Sequence, residues 1–245
     1  MTVTTRTAFV AGATGYAGNA VVAELRRRGV TTVAHVRPDS PRLRYWHDHF
    51  EARGAAVDST PWAEDALAGT FARVRPDAVF ALLGTTRRRM RDARGDSYAS
   101  VDYGLTAMLL RAVRRAAASA RFVYLSAIGA GPRARGEYLR VRWRLEQELR
   151  DSGIDWLIAR PAFITGADRA EGRPLERIAA RATDGALRIA AALGAPGLHA
   201  RYASLDAATL ARGLVHHAFA PGSSRQVIDA GALRQPHVAD VKSHG

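Results

Sequence analysis

A chain of 245 residues, 47% hydrophobic and 24% charged, is long enough to bury a substantial core as one domain of the larger α/β kind. It has no cysteine, which excludes disulfides, thiolate chemistry and cysteine-based zinc sites and agrees with a reducing, cytoplasmic compartment. The formal charge is +13, yet Lys242 is the only lysine: the excess is arginine spread through an alanine-rich chain, which reads as compositional bias, and no nucleic-acid-binding motif accompanies it. The first apolar stretch, Ala8 onward, is short and runs into glycines, and no run approaches the ~18 apolar residues of a membrane span, so neither a signal peptide nor a membrane partner is expected.

Short apolar runs then alternate with helical patterns. Residues 7–11 read as a strand, 16–28 as a helix with Ala17, Ala20, Val21 and Leu25 on its inner face and Gly29 at its end, and 32–36 as a second strand. A helix over 41–53, a short strand at 56–57 and a weak helix over 62–68 follow. Residues 78–83 are apolar without alternation, as in a parallel sheet covered on both faces. A helix over 97–118, a strand over 121–125, a helix over 137–151 and a strand over 156–159 complete a βαβα rhythm. It predicts an α/β fold, a doubly wound parallel sheet of the Rossmann type.

Past Pro161 the pattern loosens. Helices are expected over 171–182 and 207–219 and a last strand over 226–228, with an Ala/Gly-rich stretch at 190–199 and a polar tail from Gln235. The organisation expected is a nucleotide-binding core over 1–166 and, within the same domain, a small, mainly helical region over 167–245 that covers the substrate.

Between the first strand and first helix stands Gly12-Ala13-Thr14-Gly15-Tyr16-Ala17-Gly18. Gly12 allows the tight turn, Gly15 lets backbone approach a pyrophosphate, and Gly18 lets the helix pack on the strand. Phosphates would meet the free N–H groups of the helix start, with the Thr14 hydroxyl as an added donor. The strand–loop–helix context makes this a dinucleotide site rather than an ordinary turn. At the end of the second strand, where an acid would hold the ribose hydroxyls of NAD(H), the chain reads Val36-Arg37-Pro38. Arg37, with Arg42 and Arg44 nearby, matches a 2′-phosphate, so NADP(H) is the expected cofactor ahead of NAD(H), and Asp39 falls past the ribose. Asp58, beside the third strand, is counted with the cofactor-binding candidates.

Taken with LLGTTR at 82–87, VDY at 101–103, YLSAIGA at 124–130, YLRVRWRLEQEL at 138–149 and ARPAFITG at 159–166, this loop resembles the atypical or extended short-chain dehydrogenase/reductases, in particular the single-domain group that includes the Tat-interacting oxidoreductase-like proteins. The resemblance spans roughly residues 7–166 and says little about the substrate. It implies that Leu83, Gly84, Thr85 and Thr86 pass beside the nicotinamide ribose, and that Pro161, Phe163 and Ile164 lie along the nicotinamide. It implies that Ser126 holds the substrate carbonyl, that Tyr138 is the catalytic acid, and that Arg142 stands where the family usually has lysine. Tyr16 joins the cofactor-binding set as part of the loop.

Carbonyl reduction needs a hydride and a proton, and tyrosine supplies the proton where a neighbouring cation stabilises the phenolate. Residues 138 and 142 are i, i+4 and share a helical face. Arginine keeps the charge but is planar and bulkier than lysine. Relatives often carry two adjacent hydroxyls where this chain has Ser126-Ala127. The function expected is therefore an NADP(H)-dependent oxidoreductase on a small-molecule carbonyl or alcohol. The alternatives are a non-catalytic NADP(H)-binding sensor or regulatory protein, and an isomerase, dehydratase or cyclase on the same scaffold. His47-Asp48-His49 are spaced i, i+2 and read as a solvated helix end, so no metal site is expected; His216-His217 read the same way. The basic run from Arg87 to Arg91 lies at the expected cleft mouth, and Asp168-Arg169 past the sixth strand. Monomer and homodimer both fit.

Overall fold

The computed structural model describes residues 5–84, 103–116, 118–162, 164–165 and 204–235. Seven parallel strands form one sheet: β1 (Thr7–Ala11), β2 (Thr31–His35), β3 (Ala56–Asp58), β4 (Ala78–Ala81), β5 (Arg121–Leu125), β6 (Trp156–Arg160) and, after a separate ladder of β7 (Ile164–Thr165) with β8 (Leu205–Asp206), β9 (Gln226–Asp229). Their order is β3-β2-β1-β4-β5-β6-β9. The chain winds outward from β1 through β3, crosses back to β4 and winds outward the other way, which opens a crevice at the carboxyl ends of β1 and β4.

Both faces of the sheet are covered. From β1, Ala8 and Val10 join the core beneath α1 (Tyr16–Arg27), α2 (Leu43–Glu51) and α6 (Ala207–Phe219). Phe9 and Ala11 point the other way, beneath α3 (Glu64–Val74), α4 (Leu105–Arg115) and α5 (Glu137–Asp151). This two-sided burial is why β4 is apolar at every position. A short helix, α7 (Ala230–Arg234), follows β9.

The doubly wound sheet is the fold expected, with local differences. The helix read over 62–68 runs over α3 instead: Glu64 and Asp65 occupy its first turn, and Leu67, Ala68, Thr70 and Phe71 are its buried residues. The strand read over 78–83 ends at Ala81, although Leu82 N still donates to Ala11 O at 3.0 Å, so the apolar run outlasts the ladder. The expected helix over 97–118 is described only from residue 103, with α4 beginning at Leu105, and the readings over 85–102, 166–203 and the tail beyond Gln235 lie outside the described residues. The ladder of β7 with β8 and the helix α7 were not anticipated.

Residues 204–235 contribute directly to this core. α6 buries Leu210, Leu214 and Val215 with Val21, Val22 and Leu25 of α1, and β9 pairs with β6 from Leu157↔Gln226 to Arg160↔Asp229. Without β9 the apolar β6 would be an open edge. Among the described residues no helix is long and apolar enough to cross a membrane.

At the amino ends of the strands, Arg121 Nε donates to Asp155 Oδ2 at 2.7 Å, and its Nη1 to the carbonyls of His217 and Ala218 at 3.1 and 2.9 Å, tying down the end of α6. Ser224 Oγ donates to Asp155 Oδ1 at 2.7 Å. Burial pushes the Asp155 carboxyl up, but Ser224 and Arg121 outweigh it and hold the group below its ordinary value. A carboxyl depressed in the folded state adds stability that is present above its unfolded pKa and lost as pH falls through the folded one. Asp155→Asn should lower the melting temperature near neutral pH by roughly 2–6 °C, or about 1–2 kcal/mol. The gap to wild type should close below about pH 4, which thermal denaturation on both sides of that value checks.

Candidate functional site

The glycine loop lies at the β1/β4 crevice. Gly12 has φ +83°, and a Cβ there would lie 2.6 Å from Leu82 O, so conformation and space both require glycine. Gly15 N donates to Gly12 O at 3.0 Å and closes the turn. A Cβ on Gly18 would stand 2.1 Å from Gly12 O. Gly15 is different: a Cβ there would meet Gly12 O at 3.2 Å and otherwise enter open space. Thr14 and Gly15 are exposed, Gly15 caps α1 without a side-chain bond, and the first turn of α1 carries no acid. N–H groups at a helix start, with no acid in its first turn and, among the described residues, only Gly12 O near a Gly15 Cβ, fit a pyrophosphate.

On the side of the crevice where the sequence reading puts the adenosine, β2 stops at His35. His35 is buried, stacks edge-on against Trp62, and donates from Nε2 to Thr60 O at 2.9 Å. Burial holds its pKa below the ordinary value despite the Thr60 carbonyl and the Asp58 carboxylate, so the ring is neutral near pH 7. Arg37 follows with a half-exposed guanidinium, its Nη1 3.5 Å from Oδ2 of the exposed Asp39. Arg42 lies on the faces of Tyr45 and Trp46, 4.1 and 5.4 Å from the ring centroids, which aligns it with α2. Asp58 closes β3 with its carboxylate turned to Thr60, accepting from Oγ1 at 2.8 Å and from N at 3.1 Å. The paired histidine motif splits: His49 bonds Asn19 at 2.8 Å while His47 faces Glu51 at 3.8 Å.

At the other end of the crevice, Tyr138 and Arg142 share a face of α5, and the Arg142 guanidinium carbon lies 5.1 Å from the Tyr138 ring centroid. Arg142 is buried. Its Nη1 donates to Leu125 O at 2.8 Å and to the Tyr124 hydroxyl at 3.2 Å, and its Nη2 reaches Leu83 O at 3.4 Å. A Cβ on Gly84 would lie 3.7 Å from that same Nη2. The cation assigned to the phenol and the ribose therefore grips the backbone leaving β4 and β5.

Ser126 follows β5 but turns inward: it is 4% exposed, and its Oγ donates to Glu146 Oε1 at 2.7 Å. The hydroxyl that the resemblance gives to a substrate carbonyl spends its one proton on a buried carboxylate. Pro161 is buried beyond β6, its carbonyl accepting from Ile128 N at 3.0 Å, and Ile164 lies in β7. Thr85, Thr86 and Phe163 fall outside the described residues, as do the basic run at 87–91 and Asp168-Arg169. A depression of about 310 Å³ lies at the carboxyl ends of β6 and β9, walled by Ile128, Gly129, Arg160, Val227 and Asp229. Sequence reading missed Tyr124, Glu146 and Arg160. The spacing of 138, 142 and 146 was the available signal for Glu146.

The sheet order, glycine loop and crevice define a Rossmann-type dinucleotide-binding fold. Residues 12–190 match the NAD(P)H-binding family, and the chain belongs to it. The protein fmp52, mitochondrial, of Aspergillus niger is 32% identical over 124 residues, which cover 49% of each chain, so the match spans about half the length of that relative. A Bacillus halodurans protein described as an NAD-dependent epimerase/dehydratase superposes with a TM-score of 0.65 at 16% identity, covering 94% of this chain and 98% of its own. UDP-glucose 4-epimerase from Brucella ovis, solved in complex with NAD, gives 0.60 at 17% identity over 86% and 72%. At these identities the structures establish the fold.

The two glycines separate packing from binding. Gly18→Ala forces backbone apart and should cost about 2–4 kcal/mol, read as a lower melting temperature. Gly15→Ala should melt within about 2 °C of wild type yet weaken NADPH by about 10-fold or more in a fluorescence titration, because its methyl fills the phosphate space. Equal effects of the two on stability would contradict this division.

Proposed function

We propose that the protein is an NADP(H)-dependent oxidoreductase acting on a small-molecule carbonyl or alcohol. The observation that carries this reading is Tyr138 on α5 with the Arg142 guanidinium 5.1 Å from its ring, at the same sheet edge as the glycine loop. NADP(H), when bound, supplies or accepts the hydride. Tyr138 gives the proton to the developing alkoxide and takes it back in the reverse direction. Arg142 is a fixed positive charge against the phenol ring, where it stabilises negative charge growing on the phenol oxygen. Its bond to Leu83 O sets the path of the Leu83-Gly84 backbone, the stretch we assign to the nicotinamide ribose. We take the depression at the carboxyl ends of β6 and β9 as the space for a small substrate.

Arg37 supports NADP(H) over NAD(H). No carboxylate stands at residues 35–37, His35 is neutral, and Arg37 meets only an exposed acid at 3.5 Å among the described residues. A 2′-phosphate outcompetes such a contact by its higher charge and bidentate geometry. A second reading, an NADP(H)-binding protein without turnover, is favoured by the inward turn of Ser126 beside Ala127, which has no hydroxyl.

Arg37→Ala should weaken NADPH about 10-fold or more while moving NADH less than about 2-fold; equal losses would remove the 2′-phosphate assignment. On a panel of aldehydes and ketones, Tyr138→Phe should lower turnover by about 100-fold or more with NADPH affinity retained. Turnover untouched by that change would refute the role given to Tyr138, and a wild type that binds NADPH yet reduces no carbonyl would select the second reading.

A further inference from the structure

We propose that Glu146 is a positioning residue: a buried carboxylate that locks α5, and with it Tyr138 and Arg142, to the ends of β5 and β6. The inference rests on the reading of Tyr138 and Arg142 as the working pair. Residues 138, 142 and 146 stand at i, i+4 and i+8, one stripe of α5 advancing about 6 Å per step. That stripe turns into the core, where the buried residues of α5 are Arg142, Leu145, Glu146 and Leu149.

Glu146 is 0% exposed, and a carboxylate is retained there only when paired and hydrogen-bonded. Its Oε1 accepts from Ser126 Oγ at 2.7 Å and from Arg160 Nε at 2.9 Å, and its Oε2 accepts from Arg160 Nη2 at 2.5 Å. Arg150, one turn further along α5, adds Nη2 at 3.4 Å from Oε2. One side chain thus joins the residue after β5, the last residue of β6 and the helix between them. The side-on pair with Arg160 is directional, so sliding or turning α5 breaks it, whereas the contacts of Leu145 and Leu149 tolerate such motion.

One helical turn closer to Tyr138, Arg142 bonds Leu125 O, the residue before Ser126. Two successive turns of α5 therefore grip two successive residues at the end of β5. Ser126 becomes a strut in this clasp, because its only proton points to Glu146. Trp143 packs over the Arg160 guanidinium, 5.8 Å from its ring centroid, and shields the pair from one side.

Glu146→Gln keeps the shape but sets an amide NH₂ against arginine donors. In the full-length protein saturated with NADPH, exchange protection of amides in residues 137–146 should fall at least about 10-fold while α1 keeps wild-type protection. The emission of bound NADPH should shift toward that of the free cofactor. Turnover should drop about 10- to 100-fold, with KM for NADPH within about 3-fold. Glu146→Asp, which keeps the charge, should recover part of each change and replaces Gln if that variant does not fold. Wild-type exchange, emission and turnover in both variants would overturn the proposal. Ser126→Ala gives the opposing rank order: a strut predicts a smaller loss than Glu146→Gln, since Arg160 remains, together with some loss of α5 protection. A Ser126→Ala variant worse in turnover than Glu146→Gln, with α5 protection intact, would overturn the strut. Should wild type reduce no carbonyl, the proposed activity fails while exchange and emission still decide whether the clasp exists.

Discussion

The start of α1 rests directly on the turn that precedes it, since at Gly18 even a methyl group would lie 2.1 Å from Gly12 O. Gly12 in turn abuts the backbone leaving β4, where a Cβ would lie 2.6 Å from Leu82 O. Three backbone segments meet here with no side chain between them. That contact aims the N-terminus of α1 across the crevice and sets its distance from the Leu83-Gly84 segment. Side chains can be repacked by small adjustments, but backbone against backbone cannot. The seat of α6 depends on it too, because α6 packs against the Val21, Val22 and Leu25 face of the same helix.

The opposite end of the crevice is built on a different principle. α5 buries two charged residues, Arg142 and Glu146, within its apolar stripe. Arginine at 142 is not lysine with a larger head. Its planar fork reaches Leu125 O, the Tyr124 hydroxyl and Leu83 O together, tying β4, β5 and α5. A lysine ammonium is a compact point charge on a flexible stem, suited to one mobile partner rather than to this spread of acceptors. The residue at 142 therefore keeps a positive charge beside the Tyr138 ring and takes on a structural load, and the buried Tyr124 hydroxyl supplies one of its acceptors.

The layered fold was legible because parallel strands buried on both faces leave unbroken apolar runs, as at 78–81, and because Gly29 marks a helix end that is real. Where legibility failed, the cause is tertiary. The 62–68 pattern undersold α3, whose helicity comes from Leu67 and Phe71 packing beneath the sheet rather than from local preference. The glycine loop could be read because Gly12 and Gly18 are demanded by backbone geometry, which leaves its signature in sequence. Ser126 could not, since nothing in its identity tells whether a hydroxyl faces a cleft or a buried acid. That depended on Glu146, 20 residues further on, and on Arg160 beyond it.

The arginine excess also takes on a meaning that composition alone did not give. Many of these side chains serve as clamps on main-chain carbonyls: Arg26 on Val30, Arg53 on His49, Arg121 on the end of α6, Arg142 on Leu125 and Arg234 on Ser204. Guanidinium does not lose its proton in a protein, so these ties persist to high pH. Their acidic counterparts do titrate. Glu24, Asp155 and Asp206 are each pushed up by burial and pulled further down by their partners: Arg27 and Arg28 for Glu24, Ser224 and Arg121 for Asp155, and Thr209 for Asp206. All three carry the same sign, with stability present above the ordinary carboxyl range and withdrawn as pH falls through the depressed values. A fold clamped by arginine is thus asymmetric toward pH. The arginine half of each pair persists on the alkaline side, whereas in acid the protonated carboxyls release their partners and leave a chain of already high positive charge to repel itself.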